Sequence, residues 1–367
     1  MAYLRGFARS FLVMLVAACG GRTEIDLPTE EAVTVGPTTG VGAGGSGGAP
    51  IECNDRSFTG DKQGAVRIVA DDEHAFWTTV TNQIERGDLS TGETSELTDP
   101  FLAFVGALGL GDDHVYLGTY AELSRVPKKG GALELLTPWQ MTPVDMAVDG
   151  DEVFVLHYGS IGTGSVLHWS PASGLSVLFQ GLDLPTSMAL DESYVYVAAQ
   201  GYVLEGEFVF RGAVLRIDRD TGETVIAIPD LVDPFGLCLQ DGVLYVGEWY
   251  DEVANFDARV LRAPKTGGAA ELVGRISETA LPLGLACDKT HAYVTLPDFE
   301  ITQSGARSQL LRIPLAGGEA AAVAGPENAY FAEPAVNDTH VVFTVQNGQN
   351  GNPPPTNVVA NARALCK

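Results

Sequence analysis

LGLACDKTHAYVTL (283–296), a polar stretch, and then QLLRIPLAGGEAAAVA (309–324) decide how this chain folds. Short apolar runs bounded by Asp-Lys-Thr (288–290), the polar stretch and Ala-Gly-Gly (316–318) predict four strands, at Gly284–Asp288, His291–Leu296, Gln309–Pro314 and Glu319–Ala324. Such a unit cannot bury its own faces, so it has to stack on copies of itself.

The copies are found by following the aromatic of the second strand. Phe76, Tyr116, Phe154, Tyr196, Tyr245 and Tyr293 succeed one another, with Val342 in a seventh slot, at steps of 40, 38, 42, 49, 48 and 49 residues. Five residues before each anchor stands Asp71, Gly111, Asp149, Asp191, Gln240, Asp288 or Asn337, mostly acceptors suited to closing the turn between strands one and two. A third strand with a basic or polar centre and a hairpin follows in each unit, as in LSRVPKKGGAL (123–133), LRIDRDTGET (215–224) and LRAPKTGGAA (261–270). The period matches propeller blades. The expectation is an all-β, seven-bladed β-propeller of four-stranded blades over 51–367. The seventh unit supplies only three strands, so the ring is expected to close with an N-terminal strand from Ile51–Phe58.

Upstream, Arg5 and Arg9 precede the apolar run Phe11–Ala18, too short to span a bilayer and laid out like a secretory signal over 1–18. It ends in Val16-Ala17-Ala18-Cys19, which resembles the lipobox of bacterial lipoproteins. That resemblance implies acyl chains on Cys19 as the membrane anchor, export, and residence in the bacterial envelope, with Gly20 after the cysteine favouring the outer membrane. Residues 19–50, including VGPTTGVGAGGSGGAP (35–50), are Gly-, Thr- and Pro-rich and read as a flexible tether with a reach of roughly 30 Å.

The net charge is −25, from 22 basic and 47 acidic residues, and removal of Arg5 and Arg9 with the signal makes it −27. A basic groove for nucleic acid is absent, and attraction to anionic lipid is equally disfavoured. With Cys19 lipidated, four cysteines remain, and three pairings are open. Cys53 with Cys366 would staple the ring at its closure, worth roughly 5 kcal/mol in the chain-entropy model. Cys238 and Cys287 lie seven and six residues before their anchors, on opposite faces of the first strands of units five and six. Neighbouring units meet with opposite faces, so these two are expected to meet as a disulfide; two buried free thiols are the alternative.

Four histidines, His74, His114, His291 and His340, stand two residues before their anchors. Equivalent positions on separate units are too far apart to share one metal ion, so they read as repeat consensus. No serine elbow, CxxC, HExxH or phosphate loop is present outside the tether. Carboxylates near the entry to first strands, Asp145, Asp233 and Glu333, are candidates for a hard cation such as calcium at the channel mouth, against the simpler account that they start turns. The links between second and third strands are long in units four to seven: GYVLEGEFVFRG (201–212), EWYDEVANFDAR (248–259), PDFEITQSGARS (297–308) and NGQNGNPPPTN (347–357). They carry Tyr202, Phe208, Trp249, Tyr250 and Phe299 among acids, a composition suited to a partner protein or a glycan.

The segments DDEHAFWTTV (71–80) and DKTHAYVTLP (288–297), with the hairpins RVPKKGG (125–131) and RAPKTGG (262–268), resemble NHL- and YWTD-like β-propellers of bacterial extracytoplasmic proteins. Phe76-Trp77-Thr78 approaches the YWTD signature, with Thr79 in place of its aspartate. The resemblance implies the fold and no single activity, since the same superfold holds calcium-dependent lactonases, a lyase and pure binding modules. Two expectations follow: a non-catalytic, lipid-anchored recognition protein without a cofactor, or a calcium-dependent hydrolase or lyase with acids in the channel mouth.

Overall fold

The computed structural model describes residues 56–58, 67–79, 81–100, 103–159, 162–209, 211–252, 255–277, 282–296, 308–327, 329–347 and 360–366. All belong to the unit Asn54–Lys367. The chain is an all-β propeller, and its described residues contain no helix. Five four-stranded antiparallel sheets and one eight-stranded sheet account for the strands. In the stretch quoted first, the strands are Gly284–Cys287, His291–Leu296, Ser308–Pro314 and Ala321–Glu327, paired in chain order. The eight-stranded sheet contains sequence units three and four. They are joined by one long strand, Gly174–Leu190, whose middle carries two positive φ values, at Gly181 (124°) and Leu184 (45°).

Each anchor ring is buried, with Phe76, Phe154 and Tyr196 at 0% exposure. Truncating one to alanine would cost about 3–5 kcal/mol. The turn acceptors do what their position demands: Oδ1 of Asp71, Asp191, Asp288 and Asn337 each accepts the backbone amides two and three residues on, at 2.6–3.0 Å. This satisfies donors that a tight turn cannot pair internally.

Units are joined by a repeated polar code. The basic centre of strand three reaches the hairpin of the following unit: Arg86 Nη1 donates to Lys128 O (3.0 Å), Arg216 Nη1 to Lys265 O (3.4 Å) and Arg262 Nη1 to Leu315 O (3.1 Å). The hairpin in turn covers the outer strand of the unit before it, with Gly268 N donating to Ala227 O (3.1 Å) and Gly318 N to Val273 O (3.2 Å). Gly267 and Gly317 stand at φ +107° and +100°, and Gly268 and Gly318 near +150°, so the Gly-Gly pair is a backbone requirement.

Closure follows the expected route. Arg56–Phe58 pairs antiparallel with Ala360–Cys366, placing Arg56 opposite Ala364 and Phe58 opposite Ala362. Phe58 is 1% exposed and its ring centre lies 5.5 Å from that of Trp77, tying the last sheet to the first. A Cβ on Gly87 would lie 2.6 Å from the Phe58 ring, so only glycine leaves room for it. A second tie is covalent: Cys238 and Cys287 form a disulfide between units five and six, with Cα atoms 6.0 Å apart.

Candidate functional site

The links between strands two and three share one face with the links that enter strand one. Two of the aromatics expected to be exposed there are core residues instead. Trp249 is 9% exposed and Tyr202 5%, each inside a hydrophobic cluster. The reason is that the long segments are continuations of the sheet. Second strands run on as Tyr194–Leu204 and Val243–Glu252, and Tyr202 pairs with Val209 while Trp249 pairs with Ala258. Alternation along a paired strand then sends every other side chain into the core. Phe208 is half-buried. The side chain of Tyr250, and Phe299 altogether, lie outside the described residues, as do Cys19, Cys53 and the side chains of Glu333 and Cys366.

The channel-mouth acids have local partners. Asp145 Oδ1 accepts its neighbour's amide, Met146 N (2.8 Å), and Oδ2 accepts Met188 N of the next unit (2.7 Å). One unit further on, Ser187 Oγ accepts Leu237 N (3.2 Å). Asp145 and Ser187 occupy the same place in the repeat, nine residues before their anchors, so this place acts as a clamp between units. Asp233 is half-buried and pairs in register with Trp249. Among the described residues no group of three or more His, Cys, Asp or Glu side chains is arranged to hold a metal ion. The four repeat histidines stand on four separate strands, and in three of them the imidazole sits beside the anchor ring, as in His74–Phe76 (5.9 Å), His114–Tyr116 (6.2 Å) and His291–Tyr293 (6.2 Å).

Among the described residues, two aromatics that composition did not single out are exposed. Phe104 is 49% exposed and Tyr120 62%, and both flank one rung of unit two, where Val105 pairs with Thr119. The backbone around Tyr120 is held firmly. Thr119 Oγ1 accepts the amides of Ala121 and Glu122 (3.1 Å each), Trp139 donates from N to Ala121 O (2.8 Å) and from Nε1 to Thr119 O (2.7 Å), and Met141 N donates to Tyr120 O (3.0 Å). A large amphipathic ring on a fixed backbone loses little entropy on binding, which is what a recognition anchor needs. The charged residues nearest to them in the chain, Asp99 and Glu122, are both acidic. The available signal was the shortness of the 119–122 link, which leaves Tyr120 no partner strand.

No family model matches the chain, and no curated protein matches it. Solved structures do. It is similar to the β-propeller domain of Cps50 (Swd1) from Myceliophteria thermophila, with 9% identity and a TM-score of 0.60 over 84% of this chain and 99% of that one. The RRP9 WD40 repeats give 10% identity and a TM-score of 0.59 over 87% and 99%. A structure of YCF48 bound to D1 peptide gives 8% identity and a TM-score of 0.54 over 85% and 94%. These likenesses establish the fold.

Proposed function

We propose that this chain is a lipid-anchored, non-catalytic recognition protein of the bacterial envelope that binds a partner protein through the entry face of its propeller. The observation that carries the reading is the exposed pair Phe104 and Tyr120, the latter on a backbone pinned by Trp139 and Met141. Support for a protein partner in general comes from the fold, whose likeness YCF48 is described as bound to D1 peptide. The lipobox-like Val16-Ala17-Ala18-Cys19 supports an anchor on Cys19, outward transport and outer-membrane residence, with 19–50 as the tether. We read the ring as seven-bladed and NHL- or YWTD-like, the eight-stranded sheet counting as two blades that divide between Gly181 and Leu184.

The test places a photo-crosslinking amino acid at Tyr120 and, as control, at Val225 on an outer strand, in cells making the full-length chain. A discrete adduct from position 120, absent at 225 and lost on Phe104→Ser, is expected. Identical adducts from both positions, or none from 120, would overturn the reading. Cys19→Ala is expected to release the protein from membranes, and retention would remove the anchor from it.

A further inference from the structure

Three carboxylates are buried among the described residues: Glu85 at 4%, Asp183 at 9% and Glu248 at 1% exposure. Two of them have donors. Arg259 Nε donates to Glu248 Oε1 (2.9 Å) and Val232 N to its Oε2 (3.2 Å), while Trp77 Nε1 donates to Glu85 Oε2 (2.9 Å). Asp183 has no such partner among the described residues; burial is the one influence on its carboxyl, and pushes it up. A buried carboxylate without a partner costs the folded chain stability, so stacking of the units does not account for it. The next unit confirms that the scaffold does not need an acid there. Gly164 pairs with Leu182 and Gly212 with Leu231, so Asp183 corresponds to Val232, which is 38% exposed.

Asp183 lies in the link that enters strand one of unit four. It pairs in register with Gly201, and the strand beyond Gly201 folds back so that Val203 pairs with Phe208 and Tyr202 with Val209. Alternation then puts Asp183, Gly201, Val203 and Phe208 on one side of this small sheet, and Leu182 and Tyr202 on the other, in the core. Glycines make the room. A Cβ on Gly201 would lie 3.3 Å from Asp183 Oδ2 and 3.0 Å from Val209 O, and one on Gly162 would lie 3.3 Å from Val203 and 3.5 Å from Phe208. The carboxylate is thus set against bare backbone, with the half-buried Val203 and Phe208 on its side of the sheet. The hairpin tip adds two exposed acids, Glu205 and Glu207, and the nearest basic residue in the chain, Arg211, is engaged by Asp230 (3.0 Å).

We propose that Asp183 is the floor of a site for an alkylammonium group, as carried by a lysine side chain or a free primary amine, with Val203 and Phe208 beside the alkyl stem. A cation supplies what the carboxylate lacks, and the apolar neighbours suit a stem rather than a second charge. A hard metal ion takes six to eight oxygens, more than one carboxylate and a nearby carbonyl provide. An ammonium is compact, whereas a guanidinium is a planar fork matched to both oxygens of a carboxylate, and Oδ2 lies close over Gly201. The site is on the entry face, two units round from Phe104 and Tyr120, and does not depend on their role.

The test follows amide resonances of Gly181, Asp183 and Gly201 in the full-length chain during titration with Nα-acetyl-lysine amide. Its neutral Nε-acetylated counterpart and calcium chloride serve as controls. Saturable shifts with the first and none with the other two are expected. Affinity should fall about tenfold or more in Asp183→Asn. The melting temperature of that variant should equal or exceed that of the wild type, because an unpaired buried charge has been removed. Equal shifts with the neutral compound or with calcium, or unaltered binding by the variant, would overturn the proposal. So would a lowered melting temperature, which would mean that the scaffold itself holds the carboxylate. Butylamine in parallel separates the sources: a response matching that of the lysine derivative supports a free amine as ligand, and a weaker one supports a lysine of another protein.

Discussion

The interface between units one and two and the next one round are built from the same strands, yet one is filled and the other is open. In the first, Asp71 holds two turn amides with one oxygen and Lys128 with the other. In the second, Gly111 and Pro171 stand at those places and a pocket of about 330 Å³ remains. The difference teaches which conserved-looking features of a repeat are scaffolding. A residue that recurs with the same contact in several units is accounted for by stacking, and a unit that drops it has been released from that duty.

The largest effect is expected where the polar code is replaced by a covalent bond. Between units five and six the two places hold Gln240 and Leu315, and the Cys238–Cys287 disulfide spans 49 residues of chain nearby. The double change Cys238→Ser and Cys287→Ser should lower stability by about 4 kcal/mol in the chain-entropy model. Denaturant midpoints under oxidising conditions measure this. Under reductant the wild type should fall to the variant's value, and a persisting gap would place the effect in packing.

Next comes Asp191→Ala. It leaves two turn amides, the Tyr196 hydroxyl and Lys265 without their acceptor, for an expected loss of about 2–4 kcal/mol. The mirror experiment, Gly111→Ala, should cost about 1–3 kcal/mol by crowding Tyr116. If Gly111→Ala were neutral, the open interface would lack the steric reason given for it.

A smaller effect comes through pH. Burial pushes Asp71 and Asp191 up, but Lys128, Lys265 and the turn amides outweigh it, so both carboxyls lie below the usual range. A depressed carboxyl contributes stability that is present above its unfolded value, about 3.9, and is lost as the pH falls through the folded one. Acidification from pH 6 to pH 3 should therefore lower the melting temperature of the wild type more than that of Lys128→Ala with Lys265→Ala, in which part of the depression is gone. Parallel curves would mean that the amides alone hold the two carboxyls.

The fold was legible because its rules are local. An acceptor five residues before an aromatic and a Gly-Gly hairpin each constrain the backbone within a few residues, so period and closure could be read directly, and the one-residue offset between two cysteines made the Cys238–Cys287 disulfide an expectation, with free thiols as the alternative, that the structure bears out. The recognition face was not. Whether Trp249 points outward depends on its pairing with Ala258, and a long polar segment does not announce that it continues a sheet. Asp145 looked like a channel ligand because its partner, Met188 N, lies in the next unit. Tyr120 passed unnoticed for the converse reason, since exposure on a short link follows from the lack of a partner strand, which composition does not reveal.

The smallest expected change in stability belongs to Pro171→Lys, and its smallness is the point. Removing a surface proline costs about 0.4–1 kcal/mol through the unfolded chain, and a new half-exposed ion pair with Asp112 or Asp151 returns about 0.2–1 kcal/mol. The melting temperature should stay within about 2 °C of the wild type. The change restores a lysine at the hairpin place while Gly111 still stands at the acceptor place, so it separates the contribution of the hairpin residue from that of its missing aspartate. A drop of about 5 °C or more would show instead that the hairpin at 170–173 requires its proline, and that the two interfaces differ by more than the residues at these two places.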